Sequence, residues 1–218
     1  MATSRSIVEE LRQGIVEGYY HPRERLIESD IAQRYGVTRA AVRSAIIALA
    51  AEGLIEREPN RGARVRDVSI HETIEITEVR LSLQAMCAAH AAESDDDEAR
   101  TELLSCIEEL RRSVALNDQP VYSAVNRRIL AIIREMSAHS IATEVIEMLN
   151  LRNAPGTFRV VIPERRFESL REFESIVAAI VGRDPVKAHA AVIEHMNAVL
   201  TALRAIGTGG RIPGAVVS

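Results

Sequence analysis

The sequence predicts a mostly α-helical protein, with an N-terminal winged helix-turn-helix carrying a small β-hairpin wing and a C-terminal antiparallel six-helix bundle. Three observations lead there. Apolar residues recur at i, i+3, i+4 and i+7 along most of the 218-residue chain, the period of a helix with one buried face. One stretch, from Leu54 to Arg66, breaks that period with two short runs flanking a turn. Aromatic residues make up 3% of the chain and Trp is missing, which disfavours sheet-rich sandwiches and aromatic-lined sugar or single-strand grooves.

Each element has its own signal. Ile7, Leu11 and Ile15 mark a first helix that Gly18 ends, and His21 with Pro22 marks a loop. A second helix starts near Glu28 and Ser29, carries Ile31 and Ala32, and stops at Gly36. Thr38 is a good N-cap for a third helix to about Glu52, with Val42, Ile46 and Leu49 facing inward. Gly53 closes it. Leu54–Arg57 and Ala63–Arg66 then flank Glu58, Pro59, Asn60, Arg61 and Gly62, a run of turn residues, so a β-hairpin is expected.

From Ser69 onward only helical periodicity remains. Ser69 and Glu72 form a capping box for a helix to about Glu93. Asp95, Asp96, Asp97 and Glu98 look like an acidic binding patch, but acids at a helix start are more simply favoured by the macrodipole. Leu103, Ile107, Leu110 and Val114 give the next helix, and Pro120 starts a third with Val121, Val125, Ile129, Ile132 and Met136. A fourth runs from about Ser140 to Asn153, ended by Ala154, Pro155 and Gly156. A fifth covers about Pro163 to Val181, and Asp184 with Pro185 caps and starts the sixth. The expected parts are a DNA-binding domain at 1–68, a helical effector and dimerisation domain at 69–206, and a flexible tail at 207–218.

Hydrophobic residues are 47% and charged residues 27% of the chain, which excludes fibrous and disordered classes. No apolar run approaches the roughly 18 residues of a membrane helix, and Met1–Ser6 has no signal-peptide core, so a cytoplasmic protein is expected. Cys87 and Cys106 have no metal-like spacing and read as buried thiols. The net charge of −4 hides an asymmetry: residues 1–68 hold 11 Arg against 10 acids, leaving the remainder at −5. The positives of the first part cluster at Arg23, Arg25, Arg39, Arg43, Arg57, Arg61, Arg64 and Arg66. Such clustering is the footprint of a DNA reader, though a solvated charged surface has the same composition.

The helix-turn-helix gives those arginines a geometry. A glycine turn at Gly36 and Val37 leads to a helix whose first turn can face major-groove base edges. Arg39 and Arg43 lie four apart and point outward together, and arginine reads guanine O6 and N7 with two hydrogen bonds. Thr38 can cap the helix and also reach a phosphate. At the wing tip, Arg61 supplies a cation and Gly62 a close approach to the backbone or minor groove. Arg23 and Arg25 read equally as phosphate contacts or plain surface charge.

These residues carry a resemblance. Leu26-Ile-Glu-Ser-Asp-Ile-Ala32, Gly36-Val-Thr-Arg-Ala-Ala-Val-Arg43, Leu49-Ala-Ala-Glu-Gly-Leu54 and Pro59-Asn-Arg-Gly62 together resemble the GntR family of bacterial transcription regulators over residues 5–66. The family usually has Pro where Ala41 stands and Glu where Ser44 stands. Carried over position by position, Thr38, Arg39, Ala40, Arg43, Arg61 and Gly62 would be the DNA contacts. Residues 70–205 are similar to the FCD effector domain of the FadR-like branch, and six helices favour its VanR-like subgroup. That resemblance implies a divalent metal held by an Asp and a His on the third bundle helix and one His from each of the fifth and sixth. The aligned positions here are Tyr122, Asn126, Phe173 and His195, so three of four ligands are replaced and the metal site reads as lost; no cofactor is expected. Glu172 and Glu174 flank Phe173 but point roughly 100° away along the helix.

What remains is a candidate effector pocket. Arg80 stands where the family keeps an inward arginine and would pair with an anion. Tyr122, Asn126 and His195 would hydrogen-bond, and Phe173 would add an apolar wall. The alternative is that Tyr122 and Phe173 fill the old cavity as core and that His195 is a hydrogen-bonded core histidine. The reading is therefore a ligand-responsive regulator that binds a pseudo-palindromic operator in double-stranded DNA as a homodimer, with a small organic acid as effector and no membrane partner. The alternative is a constitutive DNA-binding regulator whose helical domain only dimerises. An enzyme finds no support, because no nucleophile–base pair, phosphate loop or metal cluster is present.

Overall fold

The computed structural model describes residues 6–58, 62–157 and 165–208. Three helices open the chain, α1 (Ile7–Val16), α2 (Glu28–Tyr35) and α3 (Arg39–Ala51). They fold with strands β1 (Arg25–Leu26), β2 (Ile55–Glu58) and β3 (Gly62–Val65). Six helices follow: α4 (Ile70–Glu93), α5 (Asp97–Ala115), α6 (Gln119–Met136), α7 (Ser140–Thr157), α8 (Arg166–Val181) and α9 (Pro185–Gly207).

The caps explain the boundaries. The Thr38 hydroxyl accepts the Ala41 N–H at 3.2 Å and starts α3. Ser69 accepts the Glu72 N–H at 3.1 Å, and Asp96, Asp118 and Asp184 cap α5, α6 and α9 in the same way. Between α2 and α3 the chain reverses at Gly36, whose φ of +64° is left-handed and disfavours a side chain. The acidic run at 95–98 is helix-start chemistry, the simpler of its two readings. Asp96 is the cap, and Asp95 and Asp97 are held by Arg183 at 2.8 and 3.0 Å.

The wing is larger than the expected hairpin. β3 pairs antiparallel with β2 on one side and with β1 on the other, giving the order β1-β3-β2 with Arg25 opposite Arg64 and Arg57 opposite Ala63. Two residues are too few to show alternation, so β1 carried no pattern of its own. α7 also runs past its expected end, through Ala154 to Thr157. A proline this close to a C-terminus removes one hydrogen bond without stopping the helix. Arg61, Pro163 and the tail from residue 209 lie outside the described residues, and α9 extends to Gly207.

Two compact units result. The first joins the chain up to Thr73 with the end of α7 from Glu147, and the second holds the rest of the helices. The first has a core of Leu11, Ile15, Ile31, Val42, Ile46, Leu49, Leu54 and Val65, to which Ala154 of α7 contributes. Around it, Glu72 at the start of α4 is bonded by both Arg66 and Arg152, and the buried Thr73 hydroxyl donates to Asn153 at 3.0 Å. Arg66 first, then Arg152, holds the Glu72 carboxyl below its ordinary range. The second unit buries Leu103, Leu110, Ile129, Ile146, Phe173, Ile176 and Ile180 completely, with Cys87 and Cys106 as free buried thiols. Among the described residues no helix is long and apolar enough to cross a membrane.

Candidate functional site

α3 is divided cleanly into two faces. Val42, Ala45, Ile46 and Leu49 are buried, while Thr38, Arg39, Ala40, Arg43, Ser44 and Ile47 are exposed. The spacing follows from 3.6 residues per turn, so the first turns form one outward ridge. No acid occupies the first turn, which leaves the positive end of the helix dipole free to face an anion. Arg43 grips Glu28 of α2 with two hydrogen bonds, Nε to Oε1 at 3.0 Å and Nη2 to Oε2 at 2.9 Å. That bond, with the charges of Arg43, Arg39 and Arg57, holds the Glu28 carboxyl below its usual range despite an opposing burial effect. Arg43 is thus bonded to this carboxylate, and Arg39 and Arg57 act on it through their charge alone. Its two oxygens offer the same fork of acceptors as guanine O6 and N7, and an exposed pair of this kind adds little stability, so exchange for a base is cheap. Glu28 was not among the residues expected at the site.

The wing adds further charge. Arg25 and Arg64 face each other on the exposed side of β1 and β3. Gly62 starts β3 at φ +90°, and a side-chain carbon built there meets only the Arg25 Nε, at 4.0 Å. A backbone so open suits close approach by a phosphate. Arg23 is engaged by Asp67, and Arg64 donates to Glu56 at 3.0 Å.

In the bundle the expected effector residues separate into two places. Phe173 is 0% exposed and its ring lies 4.8 Å from that of His195. The Tyr122 hydroxyl, also buried, donates to Ser169 at 2.8 Å, and Asn126 follows one turn along α6. Burial pushes this phenol above its ordinary pKa. His195 Nδ1 lies 2.6 Å from Glu172 Oε2, and Arg165 grips both oxygens of the same carboxylate at 2.6 and 2.7 Å. Burial pushes the Glu172 pKa up, but the His195 hydrogen bond and the Arg165 charge outweigh it and leave the carboxyl below its usual range. An open pocket of about 330 Å³ is lined by Glu172 together with Glu168, Arg171, Ser175, Ala191 and Glu194. Arg165, Ser169 and Glu172 follow i, i+4, i+7, a polar stripe that would have pointed to them from sequence.

This donor set does not fit a divalent metal. Phe173 offers no lone pair, the Tyr122 O–H is committed to Ser169, and the ion pair of Glu172 with Arg165 occupies the Nδ1 side of His195. Among the described residues no three His, Cys, Asp or Glu side chains are grouped as metal ligands. Arg80 is elsewhere. It is half-buried, with its Nε buried, and burial first, then the Arg134 charge, pushes its pKa down to about 10. Arg134 lies eight residues beyond Asn126, roughly 12 Å along the helix axis.

A winged helix-turn-helix with an arginine ridge on its second motif helix, joined to a six-helix domain, defines a DNA-binding transcription regulator. The chain belongs to the gntR family of bacterial regulatory proteins: the model of that family matches residues 3–65, and the model of the FCD domain matches residues 75–198. It is 25% identical over 181 residues, 82% of each chain, to the HTH-type transcriptional regulator McbR of Escherichia coli K12. The gluconate operon transcriptional repressor of Bacillus licheniformis is 28% identical over 77% of this chain and 68% of its own. Among solved structures, E. coli McbR/YncC superposes with a TM-score of 0.77 over 92% of this chain and 96% of that one, at 25% identity. A GntR regulator from Rhodococcus sp. RHA1 shares the fold at a TM-score of 0.75, covering 93% and 98% at 19% identity. The chain is a transcription regulator and not an enzyme.

Proposed function

We propose that the chain binds a pseudo-palindromic operator as a homodimer and responds to a small organic acid. The observation that carries the DNA half is the exposed ridge of Thr38, Arg39, Ala40 and Arg43 at the acid-free start of α3. Arg39 and Arg43 read base edges, and Thr38 and the first N–H groups of α3 meet phosphate. Gly62 with Arg25, Arg23 and Arg61 takes the backbone beside the wing. Two copies on a two-fold axis bring two ridges to half-sites one helical turn apart, about 10–10.5 bp. Several relatives are named repressors, and repression is the outcome proposed here.

The ligand half rests on α4 and α7, each of which belongs partly to both compact units. A ligand that favours one position of either helix in the bundle therefore biases backbone that packs in the DNA-binding unit. The regulator acts without a metal, because Glu172 and Arg165 satisfy the Nδ1 side of the one histidine left at the aligned positions. Burial of Tyr122 and Phe173 in the core favours a second reading, in which the bundle only dimerises and DNA binding is constitutive. Sequencing genomic fragments retained by the purified protein tests the DNA half: inverted repeats at helical-turn spacing are expected, and fragments without a shared motif refute it. A thermal-shift screen of organic acids separates the two readings, since only a ligand that binds the native state raises the unfolding temperature saturably.

A further inference from the structure

The end of α3 remote from the arginine ridge is closed by three other stretches of chain. The helix stops at Glu52, whose carboxylate Arg12 of α1 holds with bonds of 2.8 and 2.7 Å. The chain then turns at Gly53. The Leu54 N–H reaches back to the Leu49 carbonyl at 3.0 Å, and the Leu54 carbonyl accepts the Arg66 N–H at 2.9 Å. The last stretch to arrive is the end of α7. The stem of Arg152 covers Gly53, so that a side-chain carbon built on this glycine would lie 3.5 Å from Arg152 Cγ. Arg152 Nε donates to Glu72 Oε1 at 3.0 Å, the oxygen that Arg66 also engages. The next residue, Asn153, is 4% exposed and accepts the Thr73 hydroxyl at 3.0 Å. Ala154 then enters the core that holds Leu49 and Leu54. All of these residues lie in the first compact unit, although α7 begins in the second. Close packing and a buried hydrogen bond leave the junction little freedom.

We propose that Arg152 and Asn153 are positioning residues for base readout: α7 seats the closed end of α3 and so sets where Arg39 and Arg43 stand at its open end. The helix has 13 residues and is about 18 Å long, so a tilt of about 10° at the seat moves the ridge by about 3 Å. Such a shift breaks a bidentate contact between arginine and guanine, whose two hydrogen bonds are fixed in distance and direction. Attraction to phosphate is long-ranged and indifferent to sequence, and it survives the same shift. A loosened seat therefore lowers discrimination and not DNA binding as such. This deepens the ligand-responsive reading, because α7 is where a change in the bundle would reach the reading helix, and that consequence rests on the reading. The positioning role itself needs no ligand.

The test uses the full chain with Arg152→Ala and Thr73→Val, which remove the stem and the hydroxyl, beside Arg152→Met and Thr73→Ser, which keep them. Fluorescence anisotropy reads each variant on the selected operator and on random duplex, and hydrogen exchange reads the amides of residues 49–54. Arg152→Ala and Thr73→Val should lower the ratio of operator to random affinity at least about fivefold, with random-duplex affinity within about twofold of wild type. Arg152→Met and Thr73→Ser should keep the ratio within about twofold. Exchange at 49–54 should quicken in the first two variants while that of α5 and α6 stays unchanged. An unchanged ratio, equal losses on both DNAs, unchanged exchange at 49–54, or exchange that quickens through the whole chain would overturn the positioning role. If Arg39→Ala loses the ratio and Arg152→Ala keeps it, α3 still reads DNA and this role falls. A ligand screen without a hit removes the ligand-responsive reading and leaves the role standing.

Discussion

Phe173→Ala distinguishes a packed bundle from one with a pocket at the positions aligned with the family's metal ligands. Phe173 is 0% exposed, sits on α8 above Ile176 and Val177, and lays its ring 4.8 Å from that of His195. Losing the buried ring surrenders about 1.5–3 kcal/mol of transfer free energy. The neighbours are fixed by α8 and α9 and by the Arg165–Glu172–His195 chain, so they collapse only partly into the gap, and the cavity brings the total to about 3–5 kcal/mol. For a protein of this length that corresponds to a fall in melting temperature on the order of 10 °C. Urea unfolding followed by far-UV circular dichroism, on wild type and variant without added ligand, measures it. A loss below about 1 kcal/mol would mean that the ring already faces water or an open cavity, and the description of Phe173 as core would be wrong.

Three other outcomes are expected. The Glu172 carboxyl titrates below its ordinary value of 4.5 in the folded protein, so its stabilisation is present above that value and is lost as pH falls through the lower folded one. Glu172→Gln should therefore flatten the decline in stability at acid pH, and an unaltered acid limb would show that the pair with Arg165 and His195 contributes nothing. Protein purified from cells grown with added zinc, nickel and manganese should contain no stoichiometric metal by elemental analysis; one equivalent per chain, lost in His195→Ala, contradicts the fit of the donor set. Glu28→Gln frees Arg43 and removes a negative charge from the ridge, so binding to random duplex should tighten while the ratio of operator to random affinity falls. Fluorescence anisotropy reads both, and an unchanged ratio would show that Glu28 does not position Arg43.

Local chemistry was legible in the sequence, and long-range pairing was not. Thr38, Ser69 with Glu72, and Asp184 before Pro185 act within three residues of themselves, and each caps the helix it was expected to cap. The two faces of α3 follow from its period alone. β1 has no period because Arg25 and Leu26 become a strand only when β3 supplies partners. Glu72 is a capping-box residue by sequence, yet it also binds Arg152, 80 positions away. At the positions aligned with the family's metal ligands the sequence displayed Tyr122, Asn126 and Phe173, and not the Arg165–Glu172 pair that bonds His195. Glu172 lies 100° around the helix from Phe173, but its side chain is long enough to reach His195, on the neighbouring α9.

The central claim is that α3 reads sequence through Arg39 and Arg43, and one titration tests it most directly. Wild type, Arg39→Ala and Arg43→Ala are each titrated against the selected operator and against random duplex at one salt concentration. Loss of a bidentate base contact should cost about 1–3 kcal/mol on the operator and far less on random duplex. Equal losses on both DNAs would make the two arginines phosphate clamps and contradict the assignment of α3 as the reading helix.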